Sequence, residues 1–248
     1  MSRFHVIIPA RLASSRLPNK PLADIGGAPM VVRVAQQANK SQAASVVVAC
    51  DDVSIQNACR AHGITALLTS TSHASGTDRL AQAVTLLGLA ADDIVVNVQG
   101  DEPFIEPSVI NNVAQALMAS AAPMATVAHA ISDAAELGNP NIVKVVIDKN
   151  GNALYFSRST IPFQRDAHGA PLIPILRHVG IYAYRAGFLG EYSHLPTAPI
   201  ESMEMLEQLR VLWHGFQIRV AIEQVHMAAG VDTSEDLEIA RSMWHQRR

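Results

Sequence analysis

Three cations lie close together near the start of the chain. Arg11, Arg16 and Lys20 fall within Pro9-Ala10-Arg11-Leu12-Ala13-Ser14-Ser15-Arg16-Leu17-Pro18-Asn19-Lys20. The apolar run from Phe4 to Ile8 leads into them and reads as a buried strand. A strand that empties into a small-residue loop with spaced Arg and Lys suits phosphate, which such loops hold by N–H groups and positive charge. The N–H groups of Ala13, Ser14 and Ser15 can line the phosphates while the cations balance their charge. The stretch is neither a P-loop nor a dinucleotide fingerprint, because Gly-x-x-x-x-Gly-Lys-Ser/Thr and Gly-x-Gly-x-x-Gly are both absent. A surface loop with solvated cations fits the same residue types.

Carboxylates supply the second kind of chemistry. Val95-Val96-Asn97-Val98-Gln99-Gly100-Asp101-Glu102-Pro103 reads as a buried strand ending in Gly, two acids and Pro. Pro103 disfavours helix at Glu102, so both acids are presented at the strand tip. Hard oxygen ligands there suit Mg²⁺, which is commonly held by one or two carboxylates plus substrate phosphates; a turn with two solvated acids is the plainer alternative. Asp232, in Gly230-Val231-Asp232-Thr233-Ser234, precedes a last helix. It fits a second metal carboxylate or the capping region equally well, since Thr233 or Ser234 can cap without it. Ser75-Gly76-Thr77-Asp78-Arg79 offers N–H groups and hydroxyls for a nucleobase or ribose, and also reads as an ordinary capped helix start.

The elements that must position these groups follow from the apolar pattern. Strands are expected at Phe4–Ile8, Ser45–Cys50, Ile64–Leu68 and Ile94–Val98, and helices at Met30–Asn39, Val53–His62, Thr77–Leu87 and Pro107–Ala119. Val- and Ile-rich strands alternating with helices imply an α/β fold, a mostly parallel sheet flanked by helices. Ligands in such sheets bind beyond the carboxyl ends of the strands, which puts residues 9–20, Asp51 and Gln99–Pro103 on one rim. In the second half, Val143–Ile147 and Ala153–Ser157 flank Asn150-Gly151, a β-hairpin signal. Further on, Gly180–Tyr184 and Phe216–Ala221 read as strands, Met203–Leu212 as a helix, and residues 163–176 as a loop. The expected organisation is one domain over 1–248, with a mixed sheet and a hairpin insertion near residues 150–180.

Composition narrows the function classes. The chain has 248 residues, 49% hydrophobic and 17% charged, enough for a sizeable core. No apolar run reaches the ~20 residues of a membrane helix, so no membrane insertion is expected. Met1-Ser2-Arg3-Phe4-His5 shows no signal-peptide pattern, and a cytoplasmic protein is the expectation. A net charge of −3 argues against general nucleic-acid binding. Cys50 and Cys59 have no metal-type spacing, and no disulfide is expected.

With these segments in this order, the chain resembles the 3-deoxy-manno-octulosonate cytidylyltransferases, also called CMP-Kdo synthetases, from about Val6 to Leu237. The stretches named above are joined by Asn139-Pro140-Asn141, Tyr155-Phe156-Ser157-Arg158, Arg177-His178-Val179-Gly180, and Leu206-Glu207-Gln208-Leu209-Arg210. Asn19 stands where the family often has Gly, and Ser234 where it often has Pro; Asn tolerates a left-handed backbone and Ser can cap. The loop at 165–174 is shorter than in some members.

The resemblance implies a nucleotide-diphospho-sugar transferase-like fold, with a nucleotide half at about 1–130 and a sugar-binding and dimerisation half at about 131–248. It implies that CTP and Kdo are the substrates, CMP-Kdo and pyrophosphate the products, Mg²⁺ the cofactor, a homodimer the assembly and lipopolysaccharide the destination. Arg11, Arg16 and Lys20 would hold the triphosphate. Asp101 and Asp232 would hold the metal. Ala10, Ser75, Gly76 and Arg79 would line the cytidine pocket, and Gln99, Arg158, His178, Glu207 and Gln208 the sugar side, with Arg158 on the sugar carboxylate. A related CMP-sialate or capsule-type transferase, or a nucleotide-binding regulator without turnover, are the competing readings.

Overall fold

The computed structural model describes residues 3–14, 16–73, 75–165, 173–224 and 230–246. Three parallel connections build the first half of a sheet. Strands β1 (Phe4–Ala10), β2 (Ser45–Cys50), β3 (Ala66–Leu68) and β4 (Ile94–Asn97) lie in the order β3-β2-β1-β4. Helices α1 (Met30–Ala38), α2 (Val53–Ala61), α3 (Gly76–Leu87) and α4 (Pro107–Met118) follow these strands within a residue or so of the expected bounds. The pleat sorts β1 between two cores. Val6 and Ile8 pack with residues of α1 and α4, while Ile7 packs with Leu80 and Ala83 of α3 on the opposite face.

The second half departs from the expectation in four places. A strand, β5 (Met124–Ala130), lies where none was expected. The strand expected at Gly180–Tyr184 is twice as long: β8 (Leu176–Arg185) runs antiparallel between β4 and β5. The helix expected at Met203–Leu212 is instead two short ones, α6 (Pro199–Glu204) and α7 (Leu209–Trp213). They are separated by Met205, at φ 53° in the left-handed region that few non-glycine residues adopt. An unforeseen helix α5 (Ala186–Tyr192) continues directly from β8.

The hairpin is present. β6 (Lys144–Ile147) and β7 (Ala153–Ser157) pair antiparallel around Gly151, whose φ is 80°, and β6 joins the sheet through β8. The path ends β8-β5-β9, with β9 (Ile218–Glu223) parallel to β5. The last helix, α8 (Ser234–Gln246), closes a small separate core of Leu17, Ile25, Met30, Phe104, Val231, Leu237 and Ala240. That core fastens the Lys20 loop and the Asp232 turn to the same support. Trp244 lies on Gly26, where an added Cβ would fall 2.1 Å from the indole. Cys50 and Cys59 are buried free thiols. Burial and the neighbouring Cys50 push Cys59 up to about 12, which makes it a poor nucleophile.

Candidate active site

The rim forms where β1 and β4, parallel neighbours, end together. Gly100 is required there, because a Cβ at that position would stand 2.8 Å from the Pro9 carbonyl oxygen. The bare backbone lets the chain leaving β4 cross the tip of β1 and brings Asp101 opposite the cation loop. The Val231 N–H then donates to the Asp101 carbonyl at 2.8 Å, which draws the entry to α8 onto the same place.

Lys20 is the centre of the arrangement. Its Nζ lies 2.6 Å from Asp101 Oδ2 and 2.9 Å from Asp232 Oδ1. Sharing one nitrogen, the two carboxylate oxygens are no more than about 5.5 Å apart, the sum of those distances. Burial alone would lower the ammonium's pKa, but the two carboxylates outweigh it and raise it. Arg16 adds a bond to Asp232 at 3.1 Å. Arg11 is exposed and has no acidic partner among the described residues. Asn19 takes the left-handed backbone, φ 54°, that the loop needs ahead of the Lys20–Leu22 turn of 3₁₀ helix.

The two readings of Asp232 part here. Thr233 is the cap of α8: its Oγ1 accepts from the Asp236 N–H at 3.2 Å, and the Asp236 carboxylate accepts from the N–H groups of Asp232 and Thr233. The Asp232 side chain is thereby left to face Lys20 and Arg16. Glu102 does not line the cleft. Burial and the charge of Asp101 push its carboxyl up to about 8.

Around this centre lies a cleft of about 470 Å³, within the size range of ligand sites. Ala10, Arg11, Arg16, Lys20, Ser75, Gly76, Arg79, Gln99, Asp101, Glu207 and Asp232 all line it. Ser75 also caps α3 in a reciprocal box with Asp78, so the capping and cleft-lining readings of that segment hold together. The Arg79 guanidinium is already committed, to Thr69 Oγ1 at 2.5 Å, the Ser70 carbonyl, and Asp51 at 3.3 Å. Gln208 lines a smaller adjoining cavity.

Arg158 and His178 are not brought to the cleft. The Arg158 guanidinium donates to the carbonyls of Pro140, Glu204 and Met205, tying its own segment to the Pro140 turn and the end of α6 instead of facing a ligand. The His178 ring lies against Phe156 and Tyr182 and meets Thr126 Oγ1 at 2.9 Å. Desolvation lowers its pKa to about 3, so it stays neutral at ordinary pH. Ser15 and most of the loop at 165–174 lie outside the described residues.

Two further residues support the site. Asp51, at the end of β2, accepts from the Leu12 N–H at 2.9 Å and pairs with Arg79, so it braces the cation loop. An acid directly after a buried strand is the signal that marked it for the rim. Tyr192 Oη donates to Glu207 Oε1 at 2.9 Å, from a helix the sequence did not reveal.

Comparison with known proteins follows the same lines. The cytidylyltransferase family model matches residues 5–222. The chain is 56% identical to a 3-deoxy-manno-octulosonate cytidylyltransferase of Neisseria gonorrhoeae (strain NCCP11945), across 98% of this chain and 99% of that one. It is 56% identical to the protein of that name from Acidovorax sp. (strain JS42), across 97% of each. A solved structure of a CMP:2-keto-3-deoxy-manno-octonic acid synthetase complexed with CTP superposes with a TM-score of 0.92 at 44% identity, over 100% of both chains.

Proposed function

Since this chain belongs to the 3-deoxy-manno-octulosonate cytidylyltransferase family, we propose that its rim cleft joins CTP to Kdo with release of pyrophosphate. The observation that carries the assignment of the site is the Lys20 ammonium bridging Asp101 and Asp232 in a cleft lined by three further cations, Arg11, Arg16 and Arg79.

Phosphoryl transfer asks a protein mainly for positioning and charge stabilisation. The anomeric hydroxyl of the sugar attacks the α-phosphorus, and pyrophosphate leaves in line. Arg11, Arg16 and Lys20 bind the triphosphate and meet the charge that builds on the leaving group. Ala10, Ser75 and Gly76 supply the walls of the cytidine side, with Arg79 braced behind them by Asp51. Gln99, Glu207 and Gln208 face the sugar.

The donor set fits Mg²⁺. A cationic nitrogen already stands between two hard carboxylates, and no third metal-type side chain joins them among the described residues. Asp101 and Asp232 would hold the ion, leaving the rest of its shell to phosphate and water. When bound, Mg²⁺ supplies charge neutralisation at the phosphates and acidifies the attacking hydroxyl.

The proposal extends to a homodimer in the cytoplasm whose product enters lipopolysaccharide assembly. Leu154 on β7 and Met203 and Met205 at α6 are exposed apolar side chains in the half assigned to the interface. No described helix is long and apolar enough to cross a membrane.

A nucleotide-by-sugar matrix, read as pyrophosphate release with and without Mg²⁺, tests the function. Cytosine and uracil differ by a donor–acceptor swap, worth ~1–3 kcal/mol when a buried partner is stranded. CTP with Kdo should therefore exceed UTP by roughly tenfold or more. Equal release from ATP, or none from CTP with Kdo, defeats the reading.

A further inference from the structure

Lys20, Asp101 and Asp232 come from three distant stretches of chain, and one side chain outside the cleft touches the support of each. Trp244 lies near the C-terminal end of α8, the helix that the Asp232 turn enters. At 1.5 Å per residue it stands about 15 Å along the axis from Ser234. Its indole covers Gly26 so closely that a Cβ there would fall 2.1 Å from Cδ1 and 2.2 Å from Nε1. The Arg33 guanidinium lies over the ring, 4.0 Å from its centre. Phe104, just beyond Asp101, packs beside it with ring centroids 6.3 Å apart.

The Gly26 turn is an extension of the Lys20 loop. The Ala23 N–H donates to the Lys20 carbonyl, and the Met30 N–H to the Ala23 carbonyl. Arg33 holds the turn by donating to the Ile25 and Gly26 carbonyls at 2.8 and 2.6 Å. Arg241, on α8, donates to the Asp24 carbonyl at 3.0 Å. The core that α8 closes takes Leu17, Ile25 and Phe104 from loops and Met30 from the start of α1; among the described residues no strand contributes to it. The sheet therefore fixes where β1 and β4 end, but not how far apart the groups beyond those ends stand. The indole N–H is buried and has no partner among the described residues. Buried polar groups are almost always paired, so this ring is held by shape at the expense of a hydrogen bond.

Building on the proposed reaction, we infer that Trp244 is a positioning residue for it: its indole, keyed between Gly26, Arg33 and Phe104, sets the spacing of Lys20, Asp101 and Asp232. It touches none of the reacting atoms and acts through the loops that carry these three side chains.

The test unseats the indole from both sides. Trp244→Leu removes the ring and keeps an apolar side chain, while Gly26→Ala keeps the ring and fills its seat. Trp244→Phe returns an aromatic ring, and Trp244→Met stands in if the leucine variant does not fold. Leu117→Ala, at the end of α4 and in a different core, is the control for lost stability alone. In Trp244→Leu, kcat should fall and the half-saturating Mg²⁺ concentration rise, each about 10-fold or more, the scale of residues that orient metal ligands. KM for Kdo should stay within about twofold, since the sugar side is not displaced. A second readout needs no turnover: with the competing ammonium removed by Lys20→Met, adding Trp244→Leu should weaken Mn²⁺ binding to nucleotide-free protein about 10-fold. Gly26→Ala should reproduce these effects, yet cost less when added to Trp244→Leu, because the ring it collides with is gone. Trp244→Phe should recover most of the loss. Leu117→Ala should lower Tm and leave kcat and the Mg²⁺ requirement unchanged. A Trp244→Leu protein that behaves like Leu117→Ala, with a lower Tm and unaltered metal binding and kcat, overturns the inference. So does full additivity of the Gly26 and Trp244 changes. Failure of the wild type to make CMP-Kdo would instead defeat the parent reading of the site.

Discussion

Replacing Lys20 with Met keeps most of the side-chain stem and removes only the ammonium between Asp101 and Asp232. The two carboxylate oxygens, at most about 5.5 Å apart, then face each other with only the exposed Arg16 guanidinium, 3.1 Å from Asp232, as a counter-ion. At an effective dielectric of about 20 their repulsion at that separation is about 3 kcal/mol. The Asp232 side chain is 41% exposed, and solvent screening reduces this to about 1–2 kcal/mol. A divalent cation relieves the repulsion, and it no longer has to displace a lysine. In nucleotide-free protein, Mn²⁺ should therefore bind Lys20→Met about tenfold tighter than wild type, read as loss of the free-ion signal in an EPR titration. Turnover of CTP and Kdo should move the other way, slowing ~10²-fold, the scale of a lost electrostatic donor to the transition state. The two effects in opposite directions are diagnostic. Unchanged Mn²⁺ affinity would mean that Lys20 does not compete for the carboxylates in solution, and near-normal turnover would make Lys20 a solvated surface cation.

Other perturbations probe the supports. Asp232→Asn should raise the Mg²⁺ concentration needed for half-maximal rate and lower turnover with little change in Tm; adding Asp101→Asn should cost less than the sum of the two single effects, because the shared site is already disabled. Asp51→Asn strips the counter-charge from buried Arg79, a loss on the order of 3 kcal/mol, seen as a Tm drop of about 6–12 °C and a raised KM for CTP. His178 has its pKa lowered to about 3 in the fold, so between about pH 6.5 and 3 the unfolded chain binds a proton that the folded chain refuses, and stability falls as pH falls through that window. His178→Gln should flatten that acid-side slope in Tm against pH, and an unaltered slope would show that the ring is solvated.

The parallel half was legible because its Val- and Ile-rich runs alternate with amphipathic segments ending at clear caps. β5 was not, since Met124-Ala125-Thr126-Val127-Ala128-His129-Ala130 has little β-branched density. Its extended state is imposed by pairing with β8 and β9 on either side. The break at Met205 carries no Gly or Pro signal; only the left-handed backbone reveals it. Most of the cleft was readable because strand-end residues in this architecture collect on one rim. Arg158 misled for a different reason. Guanidinium chemistry suits a carboxylate, but three backbone carbonyls take its donors, and sequence does not show that the Pro140 turn and the end of α6 converge there.

The position of β8 bears on whether the nucleotide-side and sugar-side stretches of the chain are separable parts. β8 belongs to the later stretch, yet it fills the gap between β4 and β5 of the earlier one. Among the described residues β5 has no sheet neighbour except β8 and β9, both encoded after it. A fragment stopping near residue 130 would leave β4 with a bare edge and β5 with nothing to pair to, an invitation to self-association. The loop cations and Asp101 thus hang from a sheet whose integrity depends on strands made much later. Cutting between the two stretches would yield not two smaller working modules but one molecule undone, and recombination between related chains would be tolerated only where β4, β5, β8 and β9 are inherited together.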